Sequence, residues 1–235
     1  MTENLDSKCV YKDYWLGAQE NRAKRCYYER LFGKLKDKIK GEIKGKVIDV
    51  GGGDGEFLQY LGISKADIVD VSESGISTAV KSGYGGILAD IENRFPIRQA
   101  SYDTAVCFEV LEHLRRPNKT LAEIHNILGE GGVLMIGQPN MRPDGVYHLR
   151  RYYLNDLLDS LDKTGFKVIW IDYVPAYSMR DAIVSDIINN PSLARRAIQC
   201  VNFLLSLLPY GFRYGMARLI PNRFALMFVA KAVKV

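Results

Sequence analysis

From residue 46 onward, short all-apolar runs alternate with stretches whose apolar residues recur at helical spacing. The runs are KVIDV (46–50), DIVDV (67–71), GILA (86–89), YDTAVC (102–107) and GVLMIG (132–137). Runs so short and so continuously apolar predict strands buried on both faces. Between them lie helical patterns over about 55–62, 73–82, 109–114 and 118–128, the last with Leu121, Ile124 and Leu128 on one face. Strand–helix alternation of this kind predicts an α/β fold with a parallel sheet covered on both sides. After QPN (138–140) comes a long loop, then a helix over 153–163 carrying Leu154, Leu157, Leu158 and Leu161, with Gly165 as its stop. Two further strands read at 167–174 and 224–233, and residues 10–40 read as helix from Tyr11, Tyr14, Trp15 and Ala18 through Tyr28, Leu31, Leu35 and Ile39. The predicted organisation is a helical segment over 1–45 and one α/β domain over 46–235. A strand pair normally needs only a short turn. The last two strands instead enclose a helical insertion over 175–223, punctuated by Pro191, Pro209 and Pro221.

Composition narrows the class. With 235 residues, 47% hydrophobic and 25% charged, the chain reads as one globular domain with an addition, not as a disordered chain. No run reaches the roughly 18 apolar residues of a spanning helix. The N-terminal MTENLDSKCVYKDYW lacks the apolar centre of a signal peptide. Cys9, Cys26, Cys107 and Cys200 are widely spaced with no CxxC, the usage of reduced thiols. A cytoplasmic protein is expected. Charge is uneven: residues 1–45 hold 11 Lys/Arg against 7 Asp/Glu, residues 175–223 hold 6 against 2, and the remainder 15 against 18. The α/β body is therefore slightly acidic and its appendages basic, as a phosphate-bearing or membrane-surface partner would suit and as lysine-rich exposed helix faces alone would also give. Within the insertion, AIQCVNFLLSLL (197–208) is followed by Tyr210, Phe212, Arg213, Tyr214, Met216 and Arg218. That mix suits a helical lid, a homodimer contact or a peripheral membrane surface, and the lid is the favoured reading.

Candidate chemistry centres on KVIDVGGGDGEF (46–57), where a strand runs into four glycines and two acids. A glycine cluster after a strand lets backbone approach a ligand closely. A dinucleotide fingerprint GxGxxG would need glycine at position 56, which is Glu56. What stands there is Asp49-x-Gly51-x-Gly53-x-Gly55, and a carboxylate beside pyrophosphate is unfavourable. A cationic ligand without phosphate, such as S-adenosylmethionine (SAM), suits those acids better. In an open α/β sheet the ligand lies across the carboxyl ends of the strands. Strand two ends in Asp70, fit to accept two ribose hydroxyls, and strand three is followed by Asp90 and Ile91, an acid and an apolar face for adenine.

At this point the chain resembles the class I SAM-dependent methyltransferases, in the broad branch with EVLEH after strand four. The resemblance covers residues 46 to about 173 and rests on VIDVGGGDGEF, VDVSE, ADIEN, YDTAVCFEVLEHL, ILGEGGVLMIGQPN and TGFKVI in order. It implies a three-layer Rossmann-like fold with a mostly parallel seven-stranded sheet and an antiparallel last strand. It also implies SAM as cofactor. Gly51, Gly53 and Gly55 would meet its methionine part, Asp49 its amino end, Asp70 the ribose, and Asp90 with Ile91 the adenine; Phe108 is counted with them. Gly52 departs slightly from the cysteine or alanine frequent there. Residues outside 46–173 carry none of the motifs of that resemblance.

On a helix, Glu109, Glu112 and His113 would share a face. With His148 from the loop after strand five they could hold a divalent ion that activates a hydroxyl. The pattern is similar to ExxEH in ubiquinone-pathway O-methyltransferases and in small-RNA 2′-O-methyltransferases, where it is associated with a metal. The alternative, favoured here, is no metal, with Glu112 paired to Arg115 or Arg116 and His113 lining the pocket. His113, His148 and Glu112 are the catalytic candidates, either imidazole able to accept a substrate proton. His125 reads as a packed boundary residue. Arg150, Arg151, Tyr152 and Tyr153 could grip an anionic substrate or edge the next helix. The function expected is methyl transfer to O or N of a small-molecule or lipid- or glycan-linked acceptor. The alternatives are metal-assisted RNA 2′-O-methylation and a non-catalytic SAM-binding regulator. DNA is excluded by the lack of a DPPY-like motif after strand four, and RNA is disfavoured because no basic-aromatic sheet surface interleaves along the chain.

Overall fold

The computed structural model describes residues 21–140, 148–175, 204 and 207–235. Seven strands build one sheet: β1 (Val47–Val50), β2 (Asp67–Asp70), β3 (Gly85–Leu88), β4 (Tyr102–Phe108), β5 (Leu128–Pro139), β6 (Phe166–Pro175) and β7 (Ala225–Lys234). Their order is β3-β2-β1-β4-β5-β7-β6. The first five are parallel, and β7 runs antiparallel to both β5 and β6. The fold is thus the three-layer, mostly parallel arrangement expected, with the last strand reversed.

The helices described are α1 (Asn21–Phe32), α2 (Lys36–Glu42), α3 (Glu56–Leu61), α4 (Glu73–Lys81), α5 (Pro117–Ile127), α6 (Leu154–Lys163), α7 (Tyr210–Leu219) and α8 (Pro221–Phe224). Two apolar cores flank the sheet because the all-apolar strands present side chains to both faces. On one side Leu121, Ile124 and Ile127 of α5 and Leu157 and Leu161 of α6 meet Ile48, Val50, Ala105 and Leu134. On the other, Phe32, Ile39, Phe57, Leu58, Leu61, Ile76 and Ala79 from the first four helices meet Val47, Ile68, Val106 and Met135.

Three expectations are corrected. The continuous helix over 10–40 breaks: its described part is α1 and α2, separated at Gly33–Leu35, while residues 10–20 lie outside the described residues. A side chain at Gly33 would stand 2.5 Å from the Glu29 carbonyl, so that close approach needs glycine. The helix over 109–114 is replaced by a single 3-10 turn, Leu111–His113, because Glu109 takes φ 56° and ends any helical path before it starts. Strand five begins earlier than 132, at Leu128, which pairs with Tyr102.

The insertion is described only at its end. There α7 packs against β6, and Tyr214 Oη donates to Asp172, whose other oxygen accepts from Lys38 Nζ at 2.8 Å. The segment 176–203, with most of the insertion and of 197–208, lies outside the described residues.

Candidate active site

β1 delivers Asp49 to the mouth of the glycine loop, 3% exposed. The chain then turns through Gly51, Gly53 and Gly55 at φ 75°, 55° and 78°, a left-handed succession that side-chain-bearing residues resist. A Cβ at Gly51 would stand 2.7 Å from Val110 Cγ2, so the loop is also pressed against the segment after β4. Asp70, at the end of β2, fixes this loop from the side: its Oδ2 accepts from Gly53 N at 3.0 Å and its Oδ1 from Ser72 N at 2.8 Å. Each carboxylate oxygen keeps a second lone pair for a ligand. Ile91 is buried, its Cδ1 within 3.5 Å of the position a Gly51 side chain would take, and Asp90 accepts from Glu92 N and Asn93 Nδ2. β1, β2 and the turn after β3 thereby place Asp49, the glycines, Asp70, Asp90 and Ile91 in one neighbourhood. Phe108 differs: its ring packs on Phe57 at 4.5 Å and on Phe32 at 5.5 Å, inside the core that supports α3.

Asp49 carries the clearest electrostatic signature. Its Oδ2 is buried without a hydrogen-bond partner. Burial, then the neighbouring charges of Asp70 and Asp54, push its carboxyl up to about 8. Asp70 is raised too, chiefly by burial, against the opposing pull of its backbone donors. Buried carboxylates that lack a cation repel phosphate and favour a ligand bringing an ammonium and hydroxyls. These residues therefore fit the amino-acid and ribose parts of SAM.

A second cluster forms beyond β4. One ligand atom each from Glu112, His113 and His148 lies within 4.8 Å of the others, and the two imidazole centroids are 4.9 Å apart. His148 is held there because the next residue's amide, Leu149 N, donates to the Glu112 carbonyl at 2.8 Å. Glu112 is 2% exposed, and burial with the nearby Glu109 charge pushes its carboxyl up to about 8. Its Oε2 accepts from Gln138 Nε2 at 3.0 Å, while its Oε1 stands 3.6 Å from His113 Nε2. The expected pairing of Glu112 with Arg115 or Arg116 is thus replaced by Gln138. The expected shared face of Glu109, Glu112 and His113 is replaced as well: Glu109 turns away to accept from Tyr27 Oη at 2.6 Å. A cation could be offered three ligands here, from Glu112, His113 and His148.

Three neighbours of the candidate residues escaped the sequence. Tyr27 ties α1 to the loop after β4. Gln138 orients Glu112; the signal was a polar residue closing an apolar strand. Glu92, 7% exposed, accepts from the amides of Arg115 and Arg116 through Oε1 and anchors the start of α5. His125 behaves as expected, edge-on to Phe166 at 5.4 Å.

A mostly parallel sheet with a glycine cradle and buried acids at the ends of its first strands is the arrangement of a Rossmann-type α/β enzyme that binds an adenosyl ligand. A family model described as "Methyltransferase domain" matches residues 18–169, and the chain belongs to that family, the class I SAM-dependent methyltransferases. Two curated relatives match part of the chain, one of them with a methyltransferase description. An uncharacterised protein of Methanocaldococcus jannaschii is 29% identical over 118 residues, 47% of this chain and 56% of the relative. A protein of Mycolicibacterium smegmatis described as "Probable S-adenosylmethionine-dependent methyltransferase" is 31% identical over 81 residues, 31% of this chain and 32% of the relative. The chain thus aligns to about half the length of one relative and a third of the other. Among solved structures, a Thermotoga maritima protein described as "SAM-dependent methyltransferase, possible histamine N-methyltransferase" superposes with TM-score 0.61 at 19% identity, covering 98% of this chain and 100% of that one. At that identity the likeness concerns the fold alone.

Proposed function

We propose that this protein transfers the methyl group of SAM to an oxygen or nitrogen of a small-molecule or lipid- or glycan-linked acceptor. The observation that carries the reading is the buried, unpartnered Asp49 oxygen at the mouth of the glycine cradle. A buried carboxyl with no protein partner can release its proton to pair with an α-ammonium. In this reading Asp49, Gly51, Gly53 and Gly55 hold the methionine part, Asp70 the ribose, and Asp90 with Ile91 the adenine. Phe108 supports the cradle through Phe57. When bound, SAM supplies an electrophilic methyl group.

The acceptor approaches from the Glu112–His113–His148 side. Its hydroxyl or amine sheds a proton as it is methylated, and His113 or His148 takes that proton. Glu112, held by Gln138, sets the orientation of His113. Methyl transfer needs in-line placement above all, so the imidazoles position as much as they accept. A divalent ion in the same cluster is a second reading, favoured by the 4.8 Å convergence of three ligand atoms. Incubation of the full chain with methyl-labelled SAM and cell extract tests the main reading. Label should appear in a small-molecule, lipid or glycan fraction, and a chain that binds no SAM would sink it.

A further inference from the structure

Beside the acceptor cluster lies a groove of about 650 Å³ between the start of α5 and the start of α6. Arg115, Arg116, Lys119, Arg150 and Arg151 line it against one carboxylate, Asp156. That carboxylate is engaged elsewhere, capping α6 by accepting from Tyr153 N at 2.9 Å. Two of the arginines are fixed as walls. Arg150 Nη2 donates to the Leu114 and Arg115 carbonyls at 2.7 and 3.0 Å, and its Nε is buried without a hydrogen-bond partner. Arg151 donates to Asn140 Oδ1 and the Asn222 carbonyl, and stacks on the Tyr153 ring at 4.9 Å. No ion pair of Arg116 or Lys119 with a carboxylate is found among the described residues.

Like charges gathered around one concavity carry an electrostatic cost that a bound anion relieves. Planar guanidiniums with fixed geometry are the donors that match phosphate oxygens. The groove also joins the acceptor cluster directly through the chain: His113 is followed by Leu114 and Arg115, and Arg150 lies two residues after His148. We infer that this groove binds the phosphate or diphosphate group of a phosphorylated acceptor and so places its nucleophile beside His113 and His148. The inference rests on the methyltransferase reading for the word acceptor; the anion site stands on the groove alone.

The test titrates the full chain with sodium pyrophosphate and, separately, with SAM by calorimetry. Saturable pyrophosphate binding that weakens as salt rises is expected. The double variant Arg116→Gln/Lys119→Gln should lose at least tenfold in that affinity while SAM affinity stays within twofold. Unchanged pyrophosphate affinity in the variant, or no binding at millimolar concentrations, overturns the proposal. If pyrophosphate binds as expected and SAM does not, the methyltransferase reading falls and the anion site remains. Two further arms identify the source. Tighter binding of UDP than of pyrophosphate assigns the phosphate to a soluble nucleotide-linked acceptor. Co-sedimentation with phosphatidic acid vesicles, absent with pure phosphatidylcholine and lost in the variant, assigns it to a lipid. A short RNA bound far more tightly than either, and lost in the variant, overturns the small-acceptor inference in favour of a polynucleotide.

Discussion

If the Asp49 carboxyl meets the ammonium of SAM, binding must release a proton. Asp49 is pushed up to about 8 by burial and by its acidic neighbours, so at pH 7 it is mostly protonated before ligand arrives. Ionising it at pH 7 costs about 1.4 kcal/mol, one pH unit's worth, by the linkage between proton and ligand binding. A cationic partner lowers the bound-state value well below 7, so close to one proton (about 0.9) leaves per SAM bound. Affinity therefore rises with pH from about 6, by up to roughly tenfold per unit, and turns over at about 8, where the ligand's free α-ammonium begins to lose its own proton. Calorimetry in two buffers of different ionisation enthalpy measures the released proton at constant pH. Glu112 is also held near 8, so the Asp49→Asn variant is the control that separates them. Proton release from the wild type should vanish in the variant. Equal enthalpies in both buffers, with affinity flat across that range, would refute the reasoning. A release that persists in Asp49→Asn would assign the proton elsewhere.

Asp70→Ala removes the acceptor of the Gly53 and Ser72 amides as well as any ribose contact, and should weaken SAM binding by about 1.5–3 kcal/mol in a titration. Gly53→Val places a branched residue at φ 55° and should abolish SAM binding; retained binding would mean the loop is not the ligand contact. Under the main reading, turnover survives exhaustive chelation, whereas loss restored by manganese would establish the divalent-ion reading for Glu112, His113 and His148. Phe57→Ala removes a ring packed on Tyr28, Phe32, Tyr60 and Phe108 and should lower unfolding free energy by about 3–5 kcal/mol in chemical denaturation.

The strands were legible because β1, β2 and β4 are short, mostly apolar and buried along nearly their whole length. KVIDV, DIVDV and YDTAVC begin and end within a residue or so of β1, β2 and β4. The candidate cofactor residues could be placed for a related reason. Each sits at the carboxyl end of a strand, so finding the strand finds the residue. The cluster after β4 was harder. Helical spacing places 109, 112 and 113 together, and that inference fails when one residue adopts positive φ. Nothing in the letters EVLEH announces Glu109 at 56°, since the conformation is imposed by neighbours. Gly137 is one of them: a Cβ there would stand 2.1 Å from Phe108 Cδ1, so the Phe108 ring occupies that space and fixes the end of β4. Long-range partners such as Tyr27 for Glu109 and Gln138 for Glu112, 82 and 26 positions apart, leave no periodic trace.

The strain at Glu109 bears on what α1 does. A left-handed residue other than glycine costs about 1–2 kcal/mol, and it persists only where surroundings enforce it. Glu109 N donates to the Gly137 carbonyl at 2.9 Å, and its side chain accepts from Tyr27, so backbone and carboxylate are pinned from opposite sides. Burial raises the Glu109 carboxyl and the Tyr27 bond lowers it, which means the tyrosine stabilises the charged form. That charge in turn helps raise Glu112, the residue beside His113. Under the proposed function, a helix that precedes the sheet in sequence would therefore bear on the proton affinity of the Glu112–His113–His148 cluster. Removal of the Tyr27 hydroxyl should leave Glu109 more easily protonated, and a neutral Glu109 no longer raises Glu112. Tyr27→Phe should accordingly shift the pH profile of turnover while leaving SAM affinity near that of the wild type. An unshifted profile would confine α1 to packing.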